Sequence, residues 1–261
     1  MPVAYRGYLA LMVPLLSPVS AAWGDPREDA WDEGRALETV IVTATRIEQS
    51  VFDVSEAVSV VGAEDIERLA PELLAEMLRG VPGASFQQTT PGQGIPIIRG
   101  LKGSQVLHLV DGMRLNNAFF RDAPNQYLGL VDAWAAERIE VIRGSAPALY
   151  GADAMGGVVQ VLTREPVLED AEWVAEGRLY GAYNSADSSL LGRAEATAGR
   201  DGSVLSGGVT WQDRGDRRTG GGEVVRPSGY RAEAADLKWR RELGASAEFL
   251  LSAQYLEKPA T

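Results

Sequence analysis

Two arginines close matching apolar runs, in Ile97-Ile98-Arg99-Gly100 and in Glu140-Val141-Ile142-Arg143-Gly144. A guanidinium so placed is a permanent planar charge at a domain boundary, suited to bidentate bonds with carboxylates in a partly desolvated site. The competing reading is a solvated strand-end charge. Other chemistry is sparse. The chain has no Cys and one His, His108, so it cannot by itself assemble a thiolate or multi-histidine zinc site. No Gly-x-Ser-x-Gly elbow is present, Leu101 breaks the phosphate-loop pattern between Gly100 and Lys102, and Gly92-Gln93-Gly94 lacks the third glycine of a dinucleotide fingerprint. These absences favour binding and transport over catalysis, and neither a metal site nor a cofactor is expected. His108, inside Val106-Leu107-His108-Leu109-Val110, reads as a packing residue of a buried strand, with a haem ligand as the alternative. The net charge of -11 argues against a nucleic-acid partner, which would call for concentrated Lys and Arg.

The elements that position these residues follow from composition and periodicity. Residues 1–22 have one charged side chain, Arg6, an apolar run from Leu9 to Leu16 and small residues at Ser20, Ala21 and Ala22, the layout of a secretory signal peptide. The apolar run is broken by Pro14 and Pro18 and falls short of the ~20 residues a membrane helix needs. A charged stretch without hydrophobic period follows, and residues 23–48 read as an exported tail. Within it, Glu38, Thr39, Val40, Ile41, Val42, Thr43, Ala44 and Thr45 alternate and are rich in β-branched residues, so the segment can add as a strand to another protein's sheet edge. The same residues also read as the first strand of the domain that follows.

That domain, residues 49–166, is expected to be α+β. Ala63 to Gly80 reads as helix interrupted at Pro71, with Leu73, Leu74, Met77 and Leu78 on one core-facing side. Strands follow at Ile95–Arg99, Val106–Val110, Arg138–Arg143 and Gly157–Thr163, with a turn at Asp111-Gly112. Residues 116–127, with Phe119, Phe120, Arg121, Asn125, Gln126 and Tyr127, form a loop of aromatics and amides suited to a planar or chelated ligand, or simply to packing on a neighbouring wall. From Glu172 to the end, long clean alternation sets Trp173, Leu179, Tyr183, Leu205, Val209, Trp211, Leu237, Trp239, Phe249, Leu251 and Tyr255 against Glu176, Arg178, Thr210, Gln212, Lys238, Arg240 and Glu248. This is the pattern of membrane-barrel strands with interfacial aromatics, although a soluble antiparallel sheet alternates as well. Short turns near Gly199–Ser203 and Leu243–Ala245, against the long polar stretch Asp213–Gly229, put the latter outside the cell.

The segment Glu38 to Ala44, the two arginine-glycine strands and the string Ala148-Leu149-Tyr150-Gly151-Ala152-Asp153-Ala154-Met155-Gly156-Gly157-Val158-Val159 together resemble the plug region of TonB-dependent outer-membrane receptors. Ser145-Ala146-Pro147 departs from the commoner Gly-Pro order of that family. The resemblance implies an α+β plug followed by antiparallel transmembrane barrel strands in the outer membrane of a Gram-negative bacterium, residues 172–261 being the first part of a barrel. At about 22 strands of roughly 10 residues such a barrel needs about 220 residues, so the chain is expected to be an N-terminal portion of a receptor. Position after the exported tail makes Glu38–Thr45 the TonB box, with TonB, ExbB and ExbD as partners alongside outer-membrane lipid. Arg99 and Arg143 are implied to hold the plug against carboxylates of the inner wall. Asn-Asn-Ala and Pro-Asn-Gln-Tyr in residues 116–127 resemble receptors that include haem and iron-protein transporters. The implied work is active uptake of an iron complex such as a siderophore, of haem or of a cobalamin-like ligand. A passive porin-like channel and a soluble periplasmic binding module are the readings it competes with.

Overall fold

Long β-branched and aromatic alternation in the last third of the chain gives strands of the length the pattern predicts. In the computed structural model, which describes residues 41–42, 49–50, 54, 56–88, 91–116, 127–145, 150–166, 173–244 and 247–258, five such strands form one antiparallel meander. All described residues lie within a single unit, Thr39–Thr261.

The N-terminal part contains β1 (Ile41–Val42) paired antiparallel with β2 (Gln49–Ser50). β3 (Ala57–Gly62) runs directly into α1 (Ala63–Leu69), which stops at Ala70 in a left-handed conformation just before Pro71. The predicted second helical part is a 3-10 helix, Leu74–Gly80, burying Leu74, Ala75, Met77 and Leu78. β4 (Ala84–Gln87), β5 (Ile95–Ile98) and β6 (Leu101–Lys102) form a small sheet. β7 (Val106–Val110), β8 (Met113–Arg114), β9 (Ala136–Arg143) and β10 (Gly157–Thr163) join β3 in a mixed sheet ordered β3-β9-β10-β7-β8, in which β10 and β7 are parallel. Gly157 enters this sheet at φ +155, where a Cβ would collide with the Ile142 carbonyl, so the Gly156-Gly157 pair of the sequence string is a steric requirement.

The meander consists of β11 (Val174–Asn184), β12 (Ser189–Arg200), β13 (Ser203–Arg214), β14 (Tyr230–Glu242) and β15 (Glu248–Glu257). Each is long enough to cross a bilayer's hydrocarbon core when tilted. Its burial is inverted relative to a soluble sheet. Leu179 is 84% exposed, and Trp173, Tyr183, Leu205, Val209, Trp211, Phe249, Leu251 and Tyr255 stand on the same open face. Arg193, Thr210, Gln212, Arg214 and Lys238 are buried on the other. A face of large apolar side chains this extensive marks contact with lipid or partner, and the polar face is covered by the small domain. The connection after β13 is itself organised: Asp216 accepts from the Ser228 and Gly229 amides, and Arg218 bridges Val224.

The core joins the small domain to the meander. Leu74, Leu78, Ile98, Val106, Leu128, Trp134, Ile139, Val141, Val159 and Val161 pack as one cluster that also takes in Leu191 of β12 and touches Tyr180 and Ala182 of β11. His108 lies fully buried in β7, as its packing role requires. Asn116 Oδ1 accepts the His108 amide at 2.9 Å and lies 3.2 Å from Nδ1, while Asn116 Nδ2 donates to the Val106 carbonyl at 3.0 Å. That orientation makes Nδ1 the protonated nitrogen. The Tyr127 ring packs 5.3 Å away.

Burial lowers the His108 pKa to about 4, against the acceptor oxygens of Asn116 and the Val106 carbonyl, which oppose the shift. The unfolded chain therefore takes up a proton near pH 6.5 that the native imidazole refuses, and stability present above that pH is lost progressively as pH falls toward the native value. The expected loss is roughly 1.4 kcal/mol per pH unit over that window. Denaturant titrations from about pH 7 to about pH 4.5 should show this slope in the wild type and a flatter one in His108→Leu.

Candidate functional site

The polar inner face of the meander and the small domain meet in a set of ion pairs. At their centre is Arg193 of β12, a cation buried between the two parts of the molecule. Its guanidinium lies over Gly208 of β13, where any Cβ would overlap it. Around it, Nε donates to Glu195 Oε2 at 2.8 Å, Nη1 pairs with Asp236 of β14 at 2.9 Å, and Nη1 donates to Thr210 Oγ1 at 3.0 Å. All three partners belong to the meander. The fourth, Asp132, belongs to the small domain and lies 3.4 Å from Nη1.

Asp132 is fixed at both ends of its carboxylate. Oδ1 accepts the Trp134 amide at 3.1 Å, capping the 3-10 turn Ala133–Ala135, and Oδ2 accepts the Thr210 hydroxyl at 2.7 Å. Burial pushes its carboxyl up, and the bonds from Thr210, the Trp134 amide and the Arg193 charge work against that rise. Next to it the Trp134 ring, 1% exposed, packs 4.5 Å from the ring of Tyr180 on β11. A capped turn, a buried tryptophan and a buried cation thus form one continuous seat.

Three further ties surround it. Lys238 of β14 donates to the Thr163 carbonyl at 3.1 Å and pairs with Asp111 at 3.3 Å. Asp111, the turn residue after β7, also accepts the Thr163 amide and hydroxyl at 2.8 and 2.6 Å, so it locks the end of β10 while meeting the wall. Glu67 of α1 receives Arg164 at 3.1 Å and Arg178 of β11 at 2.9 Å, and its carbonyl accepts from Tyr180 at 2.8 Å. Both arginines also meet Glu195. Finally, Glu72 binds Arg217 of the β13–β14 connection through Oε2 and the Gly92 amide through Oε1 at 2.9 Å, while Lys258 donates to the Gly92 carbonyl at 2.7 Å.

The residues singled out in the sequence fall differently. Arg143 donates to the Ala57 and Pro82 carbonyls at 3.3 and 2.9 Å, and the Arg99 guanidinium lies beside Gly144, so among the described residues both stay within the small domain. Tyr127, expected at a ligand, is buried on His108. Phe119, Phe120, Arg121, Asn125 and Gln126 lie outside the described residues, as do Glu38, Thr39, Val40, Thr43, Ala44 and Thr45. Ile41 and Val42 form β1, the strand paired with Gln49–Ser50. Sequence reasoning passed over Arg193 and Lys238 because it treated the polar face as one class. The signal available was Gly207-Gly208 within a strand, a pair that marks close approach of another group.

Comparison with known proteins agrees with this geometry. Residues 50–158 match the model of the TonB-dependent Receptor Plug Domain. The chain is 35% identical over 191 residues to the vitamin B12 transporter BtuB of Vibrio vulnificus strain CMCP6, which covers 72% of this chain and 29% of that protein. A second relative of that name, from Photobacterium profundum, is 34% identical over 165 residues, covering 62% of this chain and 27% of the relative. Among solved structures, the copper transporter OprC superposes with a TM-score of 0.63 at 18% identity, covering 77% of this chain and 30% of that one. The siderophore receptor PiuA from Acinetobacter baumannii superposes with a TM-score of 0.59 at 21% identity, covering 80% and 27%. The chain belongs to the TonB-dependent outer-membrane receptors of Gram-negative bacteria, carrying a plug and antiparallel strands of the barrel type. It spans less than a third of the length of these relatives.

Because a Cβ on Gly208 would overlap the Arg193 guanidinium, Gly208→Ala should displace that charge without disturbing the pairing of β13. The expected result is faster hydrogen exchange at Ala133–Ala136, by a factor corresponding to about 1–3 kcal/mol, with β12–β13 amides unchanged.

Proposed function

We propose that the chain works in TonB-dependent active uptake of a metal chelate across the outer membrane: an iron complex such as a siderophore, haem, or a cobalamin-like ligand. The similarity to vitamin B12 transporters favours the last of these. The observation that carries the reading is the seat around Arg193. A barrel interior filled by a domain fastened through buried ion pairs suits a gated transporter, whereas a passive channel needs an open lumen.

In this reading, ligand arriving from outside is bound above the plug, where Phe119, Phe120, Arg121, Asn125 and Gln126 contribute, while Tyr127 stays buried on His108. Occupancy makes Glu38–Thr45 available in the periplasm. That segment supplies a strand to TonB, and its pairing with Gln49–Ser50 leaves one backbone edge of Ile41–Val42 for that purpose. TonB, energised through ExbB and ExbD, then pulls on the chain ahead of β3, an edge strand that among the described residues is held in its sheet by β9 alone. Arg99 and Arg143, which among the described residues bond only within the plug, would in this reading meet carboxylates on wall strands other than the five described, a role that Arg143→Ala would weaken. Ionic seats suit such work because they hold firmly when dry and weaken once water enters.

Deleting Val40–Thr43 in the full-length receptor should abolish uptake of the cognate ligand while leaving its binding intact. Uptake that persists after the deletion would instead favour a porin-like channel. A native product found soluble in the periplasm would favour a binding module.

A further inference from the structure

The open face of the meander, turned away from the plug, is shaped and charged unevenly. β12, β13 and β14 are each paired along both edges, so over these strands the face is complete among the described residues. Register sets Leu179, Ala194, Val209, Ala235 and Tyr255 in one row across the five strands, and Gly192, Trp211 and Glu233 in the next. The alternation of large and small side chains leaves a crevice of about 650 Å³, with Leu179 on one side, Val209, Trp211 and Tyr255 on the other, and Gly192 and Ala194 beneath. From Ala194 the same face of β12 runs on through Ala196 and Ala198 to Arg200, and the exposed Leu205 of β13 stands beside it opposite Ala198.

The two ends of this groove differ in charge. At the end near the short β12–β13 and β14–β15 connections, Arg200, Ser203 and Arg241 form one row, so two exposed guanidinium groups flank a serine. Their strands are about 10 Å apart, a gap that two arginine side chains can close around one phosphate. Arg200 pairs with the equally exposed Asp201 at 3.0 Å, a bond that water largely screens. Ser203 Oγ accepts the Trp239 indole N–H at 3.1 Å, which leaves the serine proton free to be donated outward. Trp239 packs edge-on against Phe249 at 5.5 Å, one row inside Arg241, and an amphipathic ring so placed belongs at headgroup depth. At the opposite end stands Glu233, with the Asp213 and Arg231 pair beyond it.

Short connections of a barrel face the periplasm, which puts the arginines at the periplasmic leaflet. From Ala198 to Gly192 the groove follows the strand for about 20 Å, and at the usual tilt this covers about 15 Å of depth, one leaflet of the hydrocarbon core. We propose that the groove is a binding site for an anionic phospholipid of the periplasmic leaflet. The phosphate lies between Arg200, Ser203 and Arg241, and one acyl chain follows Ala198 and Ala196 into the crevice at Ala194. A zwitterionic headgroup is disfavoured because it brings an ammonium to the arginines, and a lipid entering from the other leaflet would set its phosphate against Glu233. The site is on the outside of the wall, so it depends on the barrel's place in the membrane and not on which ligand is transported.

The test is native mass spectrometry of the purified full-length receptor, titrated with phosphatidylglycerol or phosphatidylcholine of identical acyl chains. Other faces of the barrel also meet lipid, so the readout is the difference between wild type and variant. Arg200→Gln combined with Arg241→Gln should weaken the tightest class of bound phosphatidylglycerol by about tenfold and leave phosphatidylcholine within about twofold. Ala194→Leu fills the crevice with the charges in place and should weaken the same class. Unchanged phosphatidylglycerol binding in either variant, or an equal loss of both lipids in the arginine variant, would overturn the proposal. These readouts involve neither substrate nor TonB, so their failure leaves the transporter reading standing, and uptake that no longer requires Val40–Thr43 would fault that reading alone.

Discussion

A guanidinium taken out of water must be surrounded by compensating groups, and the arrangement of this molecule follows from how Arg193 meets that demand. Its partners come from β12, β13, β14 and the plug at once: Glu195, Thr210, Asp236 and Asp132. None of these could satisfy it alone. Because the set spans separate elements, the ion pairs form only when the strands are in register and the plug is docked. Gly208 provides the space, and the Asp132 cap orients the one carboxylate that the plug contributes. A buried network of this kind adds less to stability than to specificity of docking, since desolvation offsets much of its Coulomb attraction.

The same constraint explains the inverted meander. Strands that bury Arg193, Arg214 and Lys238 on one side and expose Leu179, Trp211 and Tyr255 on the other cannot stand as a soluble sheet, because both faces would be in the wrong solvent. With an apolar surrounding outside and the plug inside, both faces would be matched. Plug and wall then share one apolar cluster through Trp134, Tyr180 and Leu191, so the seat combines close packing with ion pairing. The turn around Gly92 is held differently, through backbone groups and more exposed cations.

Much of this was legible in the residue order. Alternation placed β11, β13, β14 and β15 and assigned their faces, because a two-residue period carries over directly into which side chains share one side of a sheet. The Asp111-Gly112 turn, the strands around His108 and the break at Pro71 were equally readable. The contacts of the seat were not. Asp132 and Arg193 are far apart in the chain, and which wall charge meets which plug carboxylate depends on docking, to which local periodicity is blind. Arg99 and Arg143 stand out through their matching contexts, and among the described residues Arg143 reaches the Ala57 and Pro82 carbonyls of its own domain. Arg193 and Lys238 sit in ordinary alternating sequence, and beyond the Gly207-Gly208 pair opposite Arg193 only a partner surface distinguishes them from solvated strand charges.

The coupling between Asp132 and Arg193 tests the docking account most directly. In a double-mutant cycle with Asp132→Asn and Arg193→Met in the intact receptor, the opening free energy from hydrogen exchange at Ala133–Ala136 yields their interaction. The account predicts a favourable coupling of about 1.5 kcal/mol or more, the range of close pairs in desolvated interfaces. A coupling within about 0.3 kcal/mol of zero would contradict it and leave apolar packing around Trp134 as what seats the plug.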